Sequence, residues 1–151
     1  MSGQKQPILP PTYFFASLLL EAALHFGFPI IGIIAYPWRL AGLLPVVVGI
    51  AVSALGSKSF ERRGTTIKPF QESSALVVDG IFRYSRNPMY LAMVVILGGV
   101  AVILGSLSPW IVVTVFPFVM TRRFILAEEA MLMETFGEQY AAYQRAVRRW
   151  I

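Results

Sequence analysis

The sequence predicts an all-α, polytopic membrane protein with about four transmembrane helices and a C-terminal amphipathic cytoplasmic helix. Three observations indicate this class. The 151 residues are 56% hydrophobic and only 14% charged, with a mean hydropathy of +0.66, whereas a soluble domain carries about 25% charged residues. Four long apolar stretches divide the chain. The basic residues lie almost entirely in the segments that four spans would leave on one side of the membrane, as is typical of membrane proteins.

We predict a single membrane domain over residues 1–151. It contains spans at about 13–36, 40–55, 88–104 and 109–125, a cytoplasmic loop at 57–87 and a C-terminal helix at 126–149. A transmembrane helix needs roughly 17–25 mostly apolar residues, so the first span is ample and the others are short. We expect the first to be retained rather than cleaved as a signal peptide, because its apolar run is too long and no small-residue cleavage site follows.

Span one carries two ionisable residues, Glu21 and His25, one helical turn apart on the same face. Ionisable groups inside a membrane are candidates for function. The alternative is a mutually satisfied pair that fixes helix packing, and the sequence leaves both readings open. Pro29 is expected to bend the helix just beyond this pair.

Spans two and three contain small residues that permit close helix packing. The small-residue face of span two would also suit pairing with a second copy of the chain. In span three, Gly98-Gly99 would let span four or a ligand approach closely. Pro88 suits the first turn of that span, and a short turn at 105–109 predicts an antiparallel hairpin of spans three and four.

Two segments flank the predicted hairpin. The loop at 57–87 has interleaved apolar residues, which favour an ordered, partly membrane-dipping segment with a tight turn at Asp79-Gly80. The C-terminal helix is amphipathic, and Gly137 is a candidate to interrupt it.

The positive charge follows the predicted topology. Of the 13 lysines and arginines, only Arg39 lies in a loop on the opposite side of the membrane. This distribution predicts that both termini and the central loop are cytoplasmic in a bacterial or archaeal plasma membrane. The net charge of +5 is therefore interpreted as a topology signal and an attraction to anionic lipids, and not as a nucleic-acid site.

Several kinds of site are excluded by composition. The chain has no cysteine and one histidine, so disulfides, thiolate nucleophiles and a histidine-rich metal site are excluded, and no metal is expected. There is no glycine-rich nucleotide-binding turn and no GxSxG nucleophile motif. Methyl transfer from a sulfonium donor fits these restrictions, because a carboxylate acceptor is already a nucleophile and the protein needs mainly to align the reactants and exclude water.

Two polar clusters mark a candidate site at one membrane face. Arg86-Asn87-Pro88-Met89-Tyr90 opens span three, and Glu128-Glu129 follows span four. Adjacent helical residues point about 100° apart, so one glutamate could bind an ammonium or ribose hydroxyls while the other orients Arg122 or Arg123. The structural alternative is a topogenic arginine, a helix-starting proline, a belt tyrosine and a solvated helix start with acids near its positive end.

These motifs resemble the isoprenylcysteine carboxyl methyltransferase and phospholipid methyltransferase superfamily of integral membrane enzymes. The resemblance covers about the last half of the chain, at residues 74–105 and 122–150. It rests on the following elements, in order: Leu76-Val77, Gly80-Ile81-Phe82-Arg83-Tyr84, Arg86-Asn87-Pro88-Met89-Tyr90, Glu128-Glu129, Phe136-Gly137-Glu138-Gln139-Tyr140 and Tyr143. The first two spans match in hydropathy alone.

The resemblance implies S-adenosylmethionine as the cofactor, bound in a pocket that faces the cytoplasm. The residues implied to line or contact it are Leu76, Val77, Phe82, Asn87, Pro88, Met89, Tyr90 and Glu128 or its neighbour Glu129. Arg122 or Arg123 resembles the arginine that holds the acceptor. Two departures weaken prenylcysteine as the substrate: Asn87 stands where the eukaryotic enzymes have histidine, and Phe82 replaces a tyrosine.

We therefore predict methyl transfer from S-adenosylmethionine to a lipophilic acceptor that enters from the bilayer. The acceptor group is a carboxylate, as in isoprenylcysteine methylation, or a phospholipid amine. The rivals are an NADPH-dependent membrane reductase, with phosphates held by Arg83, Arg86, Arg122 and Arg123, and a non-catalytic membrane scaffold.

Overall fold

The computed structural model describes residues 9–64 and 75–151, and this part of the chain is helical, with one isolated bridge and no strand. The helices are α1 (Pro10–Gly27), α2 (Leu43–Arg62), α3 (Pro88–Leu104), α4 (Pro109–Met120), α5 (Leu126–Phe136) and α6 (Glu138–Ala146). Short 3-10 turns at Trp38–Gly42 and Gly80–Arg83 precede α2 and α3, and a π turn at Thr121–Ile125 joins α4 to α5. The all-helical prediction is confirmed for these residues.

Helix α1 ends earlier than span one was predicted to end. It stops at Gly27 instead of continuing to about residue 36, because Pro29 disfavours a helical conformation at the residue before it. Pro29 therefore follows the helix and does not bend it. The backbone of the extended segment that follows forms hydrogen bonds with the turn after α3. Ile33 N–H donates to Gly105 O at 2.9 Å, and Leu107 N–H donates to Ile31 O at 3.0 Å.

Helices α2 and α3 pack closely along a row of glycines. Gly42, Gly49 and Gly56 follow one another at seven-residue spacing. A side chain at Gly49 would meet Ala92 O at 2.8 Å, and one at Gly56 would meet Met89 Cγ at 2.8 Å. The small-residue face of span two is thus covered by α3 of the same chain. Pairing with a second copy stays a prediction, but it would need another surface.

The glycine pair in α3 has a different partner from the predicted one. A side chain at Gly99 would lie 2.7 Å from Gly42 O and 2.7 Å from Val46 Cγ2. The start of α2, and not α4, makes this approach. Gly98 has no such neighbour within 4 Å, so only one of the two glycines is required by packing.

The hairpin of α3 and α4 forms as predicted. Helix α3 has the predicted bounds, Pro88–Leu104, and ends at Gly105 in the left-handed conformation with φ 76°, which glycine adopts without steric cost. The turn that follows contacts α1: His25 Nδ1 lies 2.7 Å from Ser106 Oγ in a hydrogen bond, and Ser108 Oγ donates to Leu24 O at 3.2 Å.

Glu21 and His25 do not form the mutually satisfied pair that was one reading of span one. His25 bonds Ser106 instead. Glu21 is 0% exposed, and neither of its carboxyl oxygens has a hydrogen-bond partner in residues 9–64 and 75–151. A functional role for Glu21 stays a prediction.

The helix that contains the predicted fourth span extends beyond it and continues without a loop into α5. Pro117 removes one backbone donor inside α4, Thr121 Oγ1 donates to Pro117 O at 2.7 Å, and the helix widens into the π turn. Such turns commonly occur at functional sites. The predicted C-terminal helix over 126–149 is broken at Gly137, as the sequence suggested, and α6 ends at Ala146.

Two continuous helical segments, Trp38–Arg62 and Pro109–Phe136, are long and apolar enough to cross a membrane, and the apolar helix Pro88–Leu104 is shorter. The outward faces of α1 and α2 expose large hydrophobic side chains, including Leu19, Leu20, Leu44 and Val47. Such continuous apolar surface is typical of lipid contact. The topology of four spans stays a prediction.

Candidate functional site

The segment before α3 lies against α6, behind the polar cluster. Leu76, Val77 and Phe82 are all buried. Leu76 packs in a cluster with Tyr140 and Tyr143 of α6, and the Phe82 ring meets Phe60 edge-on at 5.4 Å. These three residues were predicted to line a cofactor pocket. The structure shows them as a buried apolar wall between α2 and α6, and their contact with a cofactor stays a prediction. Residues 65–74 of the predicted loop lie outside the described part of the chain.

A buried hydrogen bond fixes this wall to α6. Tyr143 OH donates to Phe82 O at 2.6 Å. Burial raises the pKa of the Tyr143 phenol, and its neighbour Tyr140 acts in the same direction. Burial also raises the pKa of Tyr140, with Glu129 adding to the effect and Arg86 opposing it. Both phenols are therefore neutral at physiological pH, and that of Tyr143 is the donor to Phe82 O.

Asn87-Pro88-Met89 turns the chain into α3. Pro88 occupies the first turn of the helix, and Asn87 precedes it without capping the helix through its side chain. The amide of Asn87 instead donates from Nδ2 to Arg149 O at 3.0 Å. Met89 points to α2, against Gly56. The Asn87 amide therefore faces the backbone at Arg149, whereas Met89 packs between two helices.

Tyr90 and Glu128 form the core of the candidate site. Tyr90 OH donates to Glu128 Oε1 at 2.7 Å, and its ring stacks with Phe124 at 6.4 Å. The two predicted site residues come from different helices, α3 and α5, and the structure brings them together. The other carboxylate oxygen of Glu128 has no hydrogen bond within the described residues, so it is free to accept one from a ligand.

Glu129 is paired with two arginines. Arg149 donates to it from Nε at 2.9 Å and from Nη2 at 2.7 Å, a bidentate contact, and Arg86 Nη1 lies 3.1 Å from Glu129 Oε1. The hydrogen bonds to Glu129 raise the pKa of the Arg149 guanidinium. Both oxygens of Glu129 are therefore engaged by the protein, and Glu128 is the glutamate left for a ligand.

The C-terminal tail, residues 147–151, is a part of the site that the sequence did not predict. Arg149 O accepts from Ser85 Oγ at 3.3 Å as well as from Asn87, and Arg86 N–H donates to Arg148 O at 3.0 Å. The sequence predicts Arg148 and Arg149 as cytoplasmic charges after the last span, with Arg148 on the polar face of the amphipathic helix. Their spacing carries no local signal of a contact with residues 84–87, about sixty positions earlier.

The two predicted acceptor arginines differ in their surroundings. Both lie exposed in the π turn, and neither forms an ion pair with any other described residue. Arg122 lines a groove of about 400 Å³ together with Pro117, Phe118, Thr121 and Trp150, whereas Arg123 is not part of it. The structure therefore favours Arg122 over Arg123 as the arginine next to a bound molecule.

The acceptor left over suits a ligand with a cationic group. The second oxygen of Glu128 has no hydrogen-bond partner within residues 9–64 and 75–151, so it can accept from an ammonium or a hydroxyl group. Arg86 Nε also has no partner there, but the atom is buried, so it presents no surface to a ligand. The amino-acid end of S-adenosylmethionine carries an ammonium group of the kind that this oxygen could bind. No cluster of three metal-ligating side chains occurs in the same part of the chain.

Comparison with known proteins points to one family. A family model described as phospholipid methyltransferase matches residues 38–139, more than half of the chain. The chain is also 36% identical over 63 residues to an uncharacterized protein of Haemophilus influenzae, an alignment that covers 42% of this chain and 100% of that protein. No solved structure matches the chain. The family match includes Tyr90, Glu128 and Glu129 and ends before the tail.

Proposed function

Because this chain belongs to the phospholipid methyltransferase family, we propose that it transfers a methyl group from S-adenosylmethionine to a lipophilic acceptor in the membrane. The family favours the headgroup of a phospholipid as the acceptor, and a lipid carboxylate is the second candidate. The observation that carries the proposal is the Tyr90–Glu128 pair, in which a half-buried carboxylate keeps one oxygen free.

Each residue of the pair has a distinct role in this proposal. Glu128 binds the cationic end of the cofactor with its free oxygen, in a charge-assisted hydrogen bond of the stronger kind. Tyr90 OH holds the carboxylate at a fixed angle by donating to Oε1 at 2.7 Å.

The remaining residues position these groups and exclude water. Glu129 pairs with Arg86 of the segment before α3 and with Arg149 of the tail. It thereby holds these two segments against α5. Leu76, Val77 and Phe82 form an apolar wall behind the cluster. S-Adenosylmethionine, when bound, supplies a methyl group already activated on a sulfonium, so the protein must chiefly align the two reactants in a dry site.

The rival functions have less support from the family. Of the four arginines predicted to hold the phosphates of NADPH, Arg86 is paired with Glu129. The other three are exposed and form no ion pair within the described residues: Arg83, Arg122 and Arg123. The family match, and not the charge of the site, therefore favours the methyltransferase over a reductase. A scaffold would have no use for the free oxygen of Glu128. We also propose, from the charge distribution and the family, that the site and both termini face the cytoplasm.

The proposal is tested by incubating purified protein in phosphatidylethanolamine vesicles with S-adenosylmethionine labelled in its methyl group. We expect label in the extracted phospholipid and at least a tenfold lower rate in Glu128→Gln, since a hydrogen bond to a charged group contributes about 1.5–3 kcal/mol. Glu134→Gln is the matched control, because Glu134 lies exposed on the same helix.

Vesicles that contain oleate distinguish the two acceptors. Label found in oleate alone would indicate that the acceptor is a carboxylate and not a phospholipid. Folded protein that binds NADPH and labels no lipid would contradict the proposal and favour the reductase.

A further inference from the structure

The groove beside Arg122 is built from two parts of the chain that are far apart in sequence. Pro117 and Phe118 of α4 and Thr121 and Arg122 of the π turn form one side, and Trp150 of the tail forms the other. One end of the groove is therefore cationic and the rest is apolar. Arg122 makes no ion pair with any residue of the described ranges, so its charge is available to a bound molecule.

The tail is held in place by the candidate site itself. Arg149, the residue before Trp150, is fixed by its bidentate contact with Glu129, and its carbonyl accepts from Ser85 and Asn87. On the other side, Trp150 packs against the core cluster that contains Tyr90 and Met120. Because Arg149 is anchored, the backbone of Trp150 is held next to α4, and the Trp150 side chain lines the groove.

We propose that Trp150 is an acceptor-binding residue: it forms the wall of a groove in which Arg122 binds the phosphate of a bilayer phospholipid and the indole contacts the first part of its acyl chains. This inference deepens the proposed function and rests on it. The tail lies beyond the family match, which ends at residue 139, so this wall is added by a segment that the family model does not include.

Charge and position in the membrane both favour a phospholipid as the occupant. Arginine binds phosphate oxygens through several parallel hydrogen bonds. Phe118 is 66% exposed on the outer face of α4, so the apolar part of the groove opens to the side where acyl chains lie. The predicted fourth span ends at about residue 125, so we expect Arg122 near headgroup depth, the interfacial layer that tryptophan also prefers.

Fluorescence quenching of Trp150 tests this inference without requiring activity. Trp38→Phe combined with Trp110→Phe leaves Trp150 as the only tryptophan, and the protein is studied in maltoside micelles, which contain no phosphate. A phosphatidylethanolamine with brominated acyl chains is titrated in, beside a diacylglycerol with the same brominated chains. Circular dichroism and thermal melting confirm that each variant is folded.

We expect the phospholipid to quench Trp150 saturably at a low mole fraction and the diacylglycerol to quench only in proportion to its amount. Arg122→Gln should raise the half-quenching concentration about tenfold, the equivalent of one charged hydrogen bond. Arg123→Gln is the matched control and should leave it unchanged. A second protein that retains only Trp38, which is 74% exposed elsewhere in the fold, should show no saturable quenching.

Three results would overturn the inference. They are equal quenching by the two lipids, no effect of Arg122→Gln, and saturable quenching by a brominated fatty acid but not by the phospholipid. Binding of S-adenosylmethionine, measured on the same samples by calorimetry, separates the two proposals. Retained binding of S-adenosylmethionine without saturable phospholipid binding would refute the phospholipid site in the groove and leave the methyltransferase proposal intact.

Discussion

Glu128 and Glu129 are neighbours in the sequence, but they have opposite roles in the structure. Glu129 is enclosed by Arg86 and Arg149, whereas Glu128 accepts one hydrogen bond from Tyr90 and keeps one oxygen free. The sequence predicted that one glutamate would orient Arg122 or Arg123 while the other bound a ligand. The choice of arginine was wrong, because Glu129 contacts Arg86 and Arg149 instead. The sequence could not assign the roles, because the deciding residue, Arg149, lies twenty positions later in a tail with no recognisable motif.

Glu129→Gln should destabilise the protein. The substitution leaves two arginines facing each other without a counter-charge, and breaking a buried ion pair costs about 3–5 kcal/mol. The lower end is expected here, because the Arg149 side chain is 37% exposed while that of Glu129 is 11% exposed. The free energy of unfolding in detergent measures this loss. Glu138→Gln is the control: its partner Arg145 is exposed, so the change should cost less than about 1 kcal/mol.

Tyr143→Phe should lower stability in a pH-dependent way. The variant loses the buried bond to Phe82 O, worth about 1–2 kcal/mol at neutral pH. Burial raises the pKa of this phenol above its ordinary value of 10.0, so its contribution is fully present below about pH 10 and is lost as pH rises through the higher folded-state pKa.

Unfolding of parent and variant, measured from about pH 8 to about pH 11, should therefore show a gap that narrows at alkaline pH. A gap that stays constant over this range would contradict the assignment of a neutral, buried donor.

At the scale of single elements, helix bounds were predictable where local chemistry defines them. Pro88 and Gly105 mark both ends of α3, and the prediction matched the structure there. The predicted end of α1 was wrong, because Pro29 ends the helix although the apolar run continues beyond it. The π turn was not predicted, although it follows Pro117, which removes a backbone donor inside α4.

Gly99→Ala should destabilise the α2–α3 contact, and Gly98→Ala should not. A methyl group at Gly99 would lie 2.7 Å from Gly42 O, which forces the helices apart at a cost of about 1–3 kcal/mol. At Gly98 there is no atom within 4 Å, and alanine favours the helix by up to about 1 kcal/mol. Thermal unfolding of the two variants compares them directly. Equal losses would show that the close approach at Gly99 is not what holds the pair together.

At the scale of the whole molecule, the predicted order of spans explains why the site could be partly predicted. Antiparallel helices bring the start of α3 and the end of α4 to the same face, so Tyr90 and Glu128 meet. The opposite face is formed by the α3–α4 turn and the segment after α1. The tail belongs to the first face, but no periodicity of the sequence indicates where five terminal residues will lie.

The absence of native cysteine makes this topology directly testable. Leu107→Cys places a thiol at the exposed α3–α4 turn, and Glu138→Cys places one at the exposed start of α6. In intact cells, a membrane-impermeant maleimide should label the first position and should reach the second only after the cells are opened. The reverse pattern would place the candidate site outside the cytoplasm and contradict the proposed orientation.

The central claim is that Glu128 binds S-adenosylmethionine and Glu129 does not. Calorimetry of the purified protein with this ligand, on the parent and on Glu128→Gln and Glu134→Gln, tests it most directly. The parent and Glu134→Gln should bind with equal affinity, and Glu128→Gln should bind at least about tenfold more weakly while remaining folded. Unchanged binding in Glu128→Gln, or no binding by the folded parent, would contradict the account.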